Sequence, residues 1–195
     1  DNSGYSIARG VSRDGSVVAG VAYNDNGDNR AIVWSGSNWG TKTDLGTLRT
    51  GNFGTSGAAN ISNDGSVVVG SSDWDGGPTN HATVWSGSGW ATKTDLGTLK
   101  SDNSGNSKAY SISRDGSVVA GDAESDNSRI RATVWSGSNW STKTDLGTLK
   151  TDNSGVSWAN AVSADGKFAV GRAINDNGNL RAVVWNLRSF NIRPA

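Results

Sequence analysis

The sequence predicts an all-β chain made of four copies of one unit, and three recurrences carry that prediction. Ser-x-Asp-Gly occurs at Ser12, Ser62, Ser113 and Ser163, at spacings of 50, 51 and 50 residues. Ala-x-Val-Trp ends at Trp34, Trp85, Trp135 and Trp185, spaced 51, 50 and 50. Asp-Leu-Gly-Thr-Leu begins at Asp44, Asp95 and Asp145. The single domain 1–195 therefore divides into units 1–50, 51–101, 102–151 and 152–195, with the one extra residue of the second unit inside loop 73–80. The fourth unit lacks Asp-Leu-Gly-Thr-Leu and ends in Phe190-Asn191-Ile192-Arg193-Pro194.

Each unit reads as four short strands. The first closes on a β-branched or apolar residue ahead of Ser-x-Asp-Gly, as in Ala59-Asn60-Ile61-Ser62. Asp-Gly then predicts a tight hairpin, because glycine accepts the positive φ that such turns need. The second strand follows at once, as Val67-Val68-Val69-Gly70 or Val118-Val119-Ala120-Gly121. A polar loop such as Asn24-Asp25-Asn26-Gly27 leads to the third strand, Arg30 to Trp34 in the first unit. After a Ser-Gly-Ser-Asn link and Trp39, the fourth strand is expected from Thr41 to Leu48. No segment shows a 3.6-residue apolar period long enough for a helix.

Four strands in roughly fifty residues, repeated, match a β-propeller blade. The β-branched runs are consecutive rather than alternating, which predicts strands covered on both faces, as stacked blades would cover them. The expected fold is propeller-like, with four blades of about four short antiparallel strands each, closed into a ring by Phe190 to Pro194. An open β-repeat array and part of a larger propeller are the alternatives.

Composition narrows the function. Eighteen Lys+Arg balance 18 Asp+Glu, which removes the electrostatic footprint of a nucleic-acid binder. No apolar run is long enough to insert into a bilayer. Cysteine is absent and His81 is the single histidine, so disulfide frameworks, Cys-ligated zinc and multi-His metal centres are excluded. The neutral charge and Asn- and Ser-rich loops suggest a soluble monomer.

Fourteen of the 18 acids recur: in Asp-Gly turns, at the head of Asp-Leu-Gly-Thr-Leu, in Asp-Asn-Ser-Gly, and in the polar loops as Asp25, Asp75, Asp126 and Asp176. A residue needed in every unit holds the unit together, and no unequal pair of carboxylates stands out for hydrolysis. Ser-x-Asp-Gly faintly resembles the Asp-box of sialidases, itself a folding element. His81 fills a slot held by Arg30, Arg131 and Arg181, which makes it a hydrogen-bond donor rather than a general base. No catalytic residue is assigned, and no cofactor. Calcium is the ion the oxygen-rich loops would take, with Asp25, Asp28, Asp73 and Asp75 as weak candidate ligands; the same residues are ordinary turn formers.

Seven of nine tryptophans recur, which favours packing between blades over sugar stacking in repeated pockets. Trp74 and Trp158 do not recur. Trp74 stands between two aspartates in a polar loop, where an exposed contact residue is expected. Trp158 would seal the last blade against the first. Variation among the copies gathers at Tyr23, Asp73, Trp74, Asp75, Glu124 and Arg129, which form the candidate ligand-binding set.

The combination Ala-x-x-[Val/Ile]-Ser-x-Asp-Gly, [Arg/His]-Ala-x-x-Trp and Asp-Leu-Gly-Thr-Leu resembles the HAF-type bacterial extracellular repeat. The name-giving His-Ala-Phe stands here as Arg30-Ala31-Ile32, His81-Ala82-Thr83, Arg131-Ala132-Thr133 and Arg181-Ala182-Val183, never with Phe. The resemblance implies export and a place at the bacterial surface, as in autotransporter passenger regions, and implies no reaction. The expected function is thus a non-enzymatic extracellular or cell-surface binding or adhesion module, with a host-surface glycan or protein receptor as partner. A structural scaffold or spacer within a larger surface protein is the alternative, and a propeller-fold glycoside hydrolase the least favoured reading.

Overall fold

The computed structural model describes residues 4–188 and 191–194. Among these residues sixteen strands form four antiparallel sheets, each a simple meander in sequence order. Unit one contains β1 (Ser6–Val11), β2 (Val18–Tyr23), β3 (Asn29–Ser35) and β4 (Thr41–Asp44). Unit two contains β5 (Ser56–Ile61), β6 (Val68–Asp73), β7 (Asn80–Ser86) and β8 (Thr92–Asp95). Unit three contains β9 (Ser107–Ile112), β10 (Val119–Glu124), β11 (Ile130–Ser136) and β12 (Thr142–Asp145). Unit four contains β13 (Ser157–Val162), β14 (Phe168–Ile174), β15 (Leu180–Asn186) and β16 (Asn191–Pro194).

The Asp-Gly hairpins form as the sequence predicts, and the serine before each aspartate completes them. Asp14 Oδ1 accepts from the Ser12 hydroxyl at 2.7 Å and from the Ser16 amide at 3.0 Å. Ser12 Oγ in turn accepts the Val17 amide at 3.0 Å, while Gly15 takes φ 73°. A second glycine is needed where the first two strands cross. A Cβ on Gly121 would run into the Lys108 carbonyl oxygen, and register shifts by one residue beside it.

Two local features depart from the sequence reading. The fourth strand stops at the aspartate rather than continuing to the second leucine, because Asp44 Oδ1 accepts the Gly46 amide at 2.8 Å and turns the chain. The link before it is a tight turn in which Asn38 and Trp39 both have positive φ, 53° and 52°. Left-handed backbone is unfavourable for such residues, and a tether holds it: Trp39 Nε1 donates to the Gly15 carbonyl at 2.9 Å. Trp90 and Trp140 repeat the arrangement on Gly65 and Gly116.

The cores lie between sheets rather than within them. Ala19, Ala31, Val33 and Leu45 of unit one pack against Ala58, Ile61, Val68 and Trp85 of unit two. Val69, Ala82, Val84 and Leu96 meet Trp135 of unit three in the same way, and Val134 and Leu146 meet Trp185 of unit four. Trp85, Trp135 and Trp185 are almost wholly buried, so these recurring tryptophans pack the blades together.

Polar contacts repeat at the same three junctions. The amides of Ala31, Ala82 and Ala132 donate to Ser56, Ser107 and Ser157 Oγ of the following unit at 3.0, 2.8 and 2.9 Å. Arg30, buried and paired to Asp44 at 3.1 Å, donates across the junction to the carbonyls of Asn52 and Gly54. Arg131 does likewise to Asn153 and Gly155. Each of these two buried cations is thus paired with a carboxylate and hydrogen-bonded to carbonyls, the condition under which burying a charge is tolerable.

The expected closed ring of four is not formed. Consecutive sheets pack together, but among the described residues no comparable packing joins the fourth to the first. Val170, the counterpart of the buried Ala19, is 43 % exposed, and Val11, the counterpart of the buried Ile61, is 58 % exposed. The four blades form an arc with two uncovered end faces. Phe190, the first residue of the expected closing segment, lies outside the described residues, while β16 pairs with β15 inside unit four.

Candidate binding groove

The first strands of successive units lie beside one another along the inner edge of the arc. Between them runs a cavity of about 450 Å³. Its walls include Tyr5, Arg9 and Tyr23 of unit one, Ser71 and Asn80 of unit two, and Lys108 of unit three. The two tyrosine rings sit 5.3 Å apart at 39°, and among the described residues no carboxylate lines the cavity. Arg9 and Lys108 are exposed on β1 and β9. Polar groups, two cations and two aromatic faces suit an oxygen-rich, anionic ligand.

The groove is where the copies differ. Arg9 corresponds to Ala59, Tyr110 and Asn160; Tyr23 to Asp73, Glu124 and Ile174; Lys108 to Ile7, Gly57 and Trp158. Deeper in unit three, the Tyr110 hydroxyl donates to Asp122 Oδ2 at 2.7 Å. Burial raises the pKa of both groups. Trp158 is half-buried on β13, with the Arg172 guanidinium 4.7 Å from its ring centre.

Of the six residues selected from sequence, Tyr23 alone lines the groove. Asp73 and Glu124 do equivalent structural work. Each accepts the amide at the head of its own first strand, Thr55 at 2.9 Å and Asn106 at 3.2 Å, and each meets a cation from the preceding unit, Arg49 or Lys100. Asp75 receives the amide and hydroxyl of Thr50, as Asp126 does from Ser101 and Asp176 from Thr151. The Thr50 hydroxyl holds the Asp75 carboxyl below its ordinary range. Trp74 is half-buried, stacked on His81 and bonded through Nε1 to Thr79 Oγ1 at 3.0 Å. Arg129 is exposed beside the loop of unit three.

The calcium candidates do not converge. Asp73 and Asp75 serve the different partners just described, and Asp28 lies 3.4 Å from Asn24 Nδ2. Asp25 stands at the position that caps the preceding unit's linker elsewhere. Among the described residues, no three of His, Asp and Glu gather where they could hold a metal ion. His81 is fully buried, its Nδ1 2.8 Å from Asp95, in the arginine slot expected from sequence.

No family model matches the sequence, and no curated protein matches it. The HAF-type resemblance therefore rests on the motifs alone. Solved structures do match. TolB from Acinetobacter baumannii superposes with a TM-score of 0.65 at 13 % identity, over 98 % of this chain and 43 % of that one. A protein assigned as TolB from Agrobacterium tumefaciens gives 0.63 at 15 %, over 94 % and 62 %. A puromycin-hydrolyzing peptidase from Mycobacterium tuberculosis gives 0.58 at 15 %, over 94 % and 27 %. This chain thus spans less than two thirds of each of these proteins, and at such identities the likeness concerns the fold: a β-propeller architecture of which four blades are present here.

Proposed function

We propose that the chain is a non-enzymatic binding module outside the cell, and that its groove takes an acidic carbohydrate. The observation that carries this reading is the groove itself, with Arg9, Lys108, Tyr5 and Tyr23 around one cavity and no acid among the described residues of its lining. Guanidinium and ammonium groups pair with carboxylate or sulfate, and tyrosine faces stack on sugar rings. Copies that are nearly identical at their junctions diverge here, as expected if duplication preserved the scaffold and recognition settled in the groove. Against catalysis, His81 lies sealed under Trp74, and the four Asp-Gly carboxylates are spent on their own turns.

The test is a glycan array containing acidic and neutral sugars, probed with the wild-type chain and with Tyr23→Ala and Arg9→Ala. Selective binding to acidic glycans, lost in both variants, supports the reading. A blank array, or binding indifferent to both substitutions, would overturn it. The regularity of the three junctions would then favour the scaffold reading, in which the repeats hold neighbouring domains apart.

A further inference from the structure

The uncovered ends of the arc are the two halves of the junction that the chain builds three times internally. We propose that they meet between copies: the outer face of unit four docks on the outer face of unit one of a second molecule.

Each recurring contact has its half at either end. Ala182 is exposed on β15 where Ala31, Ala82 and Ala132 are buried and donate to a serine of the next unit. The matching serine at the other end is Ser6, exposed on β1 where Ser56, Ser107 and Ser157 are buried. Backbone between the Asp-Gly turns follows the same rule. Arg13 donates its amide to the Asn63 carbonyl, Asn63 to Arg114, and Arg114 to Ala164. Among the described residues, the Ala164 amide and the Arg13 carbonyl are the two ends left over.

The apolar surfaces also fit. A hollow of about 250 Å³ opens on unit one among Ala8, Val18, Trp34 and Trp39. At the internal junctions the corresponding space is closed by the preceding unit: Trp85 is fully buried, whereas Trp34 is only half-buried. Val17, Val67 and Val118 press on Gly65, Gly116 and Gly166 of the following unit. Their counterpart in unit four is the larger Phe168, 44 % exposed, which would enter the more open hollow by Trp39. A contact that joins two different patches is heterologous, so it yields a closed ring or a growing chain of copies.

Sedimentation of the wild-type chain from about 1 µM to about 100 µM reads the association. Ala182→Arg blocks the unit-four face and Ala8→Arg blocks the unit-one face; both alanines are exposed, so neither change disturbs an internal core. The expected result is a wild type that forms dimers or larger species, and two variants that are each monomeric. An equimolar mixture of the variants regains a dimer, because each supplies the face that the other lacks. That recovery also shows that both variants are folded. A wild type monomeric throughout the range would overturn the proposal and leave these faces to further units of one longer polypeptide. Variants that still associate singly, or a mixture that stays monomeric, would overturn the head-to-tail geometry.

Discussion

The indole of Trp74 lies stacked on the imidazole of His81, ring centres 3.9 Å apart and planes 18° from parallel. The pair replaces what arginine does elsewhere. Arg30 and Arg131 bind an aspartate of their own unit and two carbonyls of the next. The shorter His81 keeps the aspartate, and its buried Nε2 has no hydrogen-bond partner among the described residues. Trp74, from the loop that carries the extra residue, covers the ring instead.

Trp74→Ala should therefore cost about 1–3 kcal/mol, combining lost aromatic stacking with exposure beside an unsatisfied nitrogen. Adding His81→Arg to that variant should restore part of the loss, because a guanidinium regains the carbonyls of Asn103 and Gly105. Urea midpoints compare the three proteins. A midpoint unchanged by Trp74→Ala would mean that the stack is incidental.

The serine bridge makes a contrast within one molecule. Ser107 Oγ accepts the Ala82 amide and donates to the Gly97 carbonyl at 2.6 Å, all of it buried. Ser107→Ala should cost about 1–3 kcal/mol through the unsatisfied buried amide. Ser6→Ala, at the exposed end, should leave the dissociated chain within about 0.5 kcal/mol of wild type. Equal losses would show that the bridge contributes nothing specific.

Acid should unfold the chain in a window set by its turns. The Ser12 hydroxyl lowers Asp14 to about 2 from its ordinary 3.8, and the hydroxyls of Ser62 and Ser113 lower Asp64 and Asp115. A hydrogen bond from Lys167, then one from Ser163, lowers Asp165. Each depressed carboxyl contributes stability that is present above its unfolded value and lost as pH falls through the folded one. The decline should therefore run from about pH 4 to about pH 2. Asp122 acts in the opposite sense, since burial raises its pKa and protonation relieves a desolvated charge. Melting temperature should rise slightly as pH falls from neutrality towards 4, then drop, and Asp122→Asn should remove the rise. A monotonic decline from pH 7 that is identical in Asp122→Asn contradicts the assignment.

Two glycines should respond very differently to alanine. At Gly121 the methyl would occupy the space of the Lys108 carbonyl, so the first two strands of unit three must part. At Gly27 the methyl meets open space, and only the positive φ of 79° is strained. Gly121→Ala should cost more than about 3 kcal/mol and Gly27→Ala about 1 kcal/mol, read from denaturant curves. A mild Gly121→Ala would show that the bulge is pliable.

The repeat was legible because spacing, turn residues and β-branched runs all recur together. Closure was not. A period counts units, but the angle between packed sheets depends on side chains such as Leu45 and Trp85 meeting at each junction. The left-handed turn at Trp39 was hidden because the Gly15 carbonyl that holds it lies on another hairpin. Variable loop residues suggested recognition, yet Asp73 and Glu124 differ in side-chain length while doing one job. The variation that lines the groove lay on the strands: position by position, Arg9, Ala59, Tyr110 and Asn160 share nothing chemically, while the Asp-Gly turn a few residues on is kept in all four copies.

The bridge from each third strand to the next first strand also orders events in time. Ala82 cannot satisfy its amide until Ser107 has emerged, and the Arg30 side chain cannot until Asn52 and Gly54 have. During synthesis, each of the first three blades therefore waits for the start of its successor. The chain should acquire structure in steps, always one unit behind its leading end. Protection from proteolysis on truncated nascent chains would reveal that lag as cut-offs near Ser56, Ser107 and Ser157.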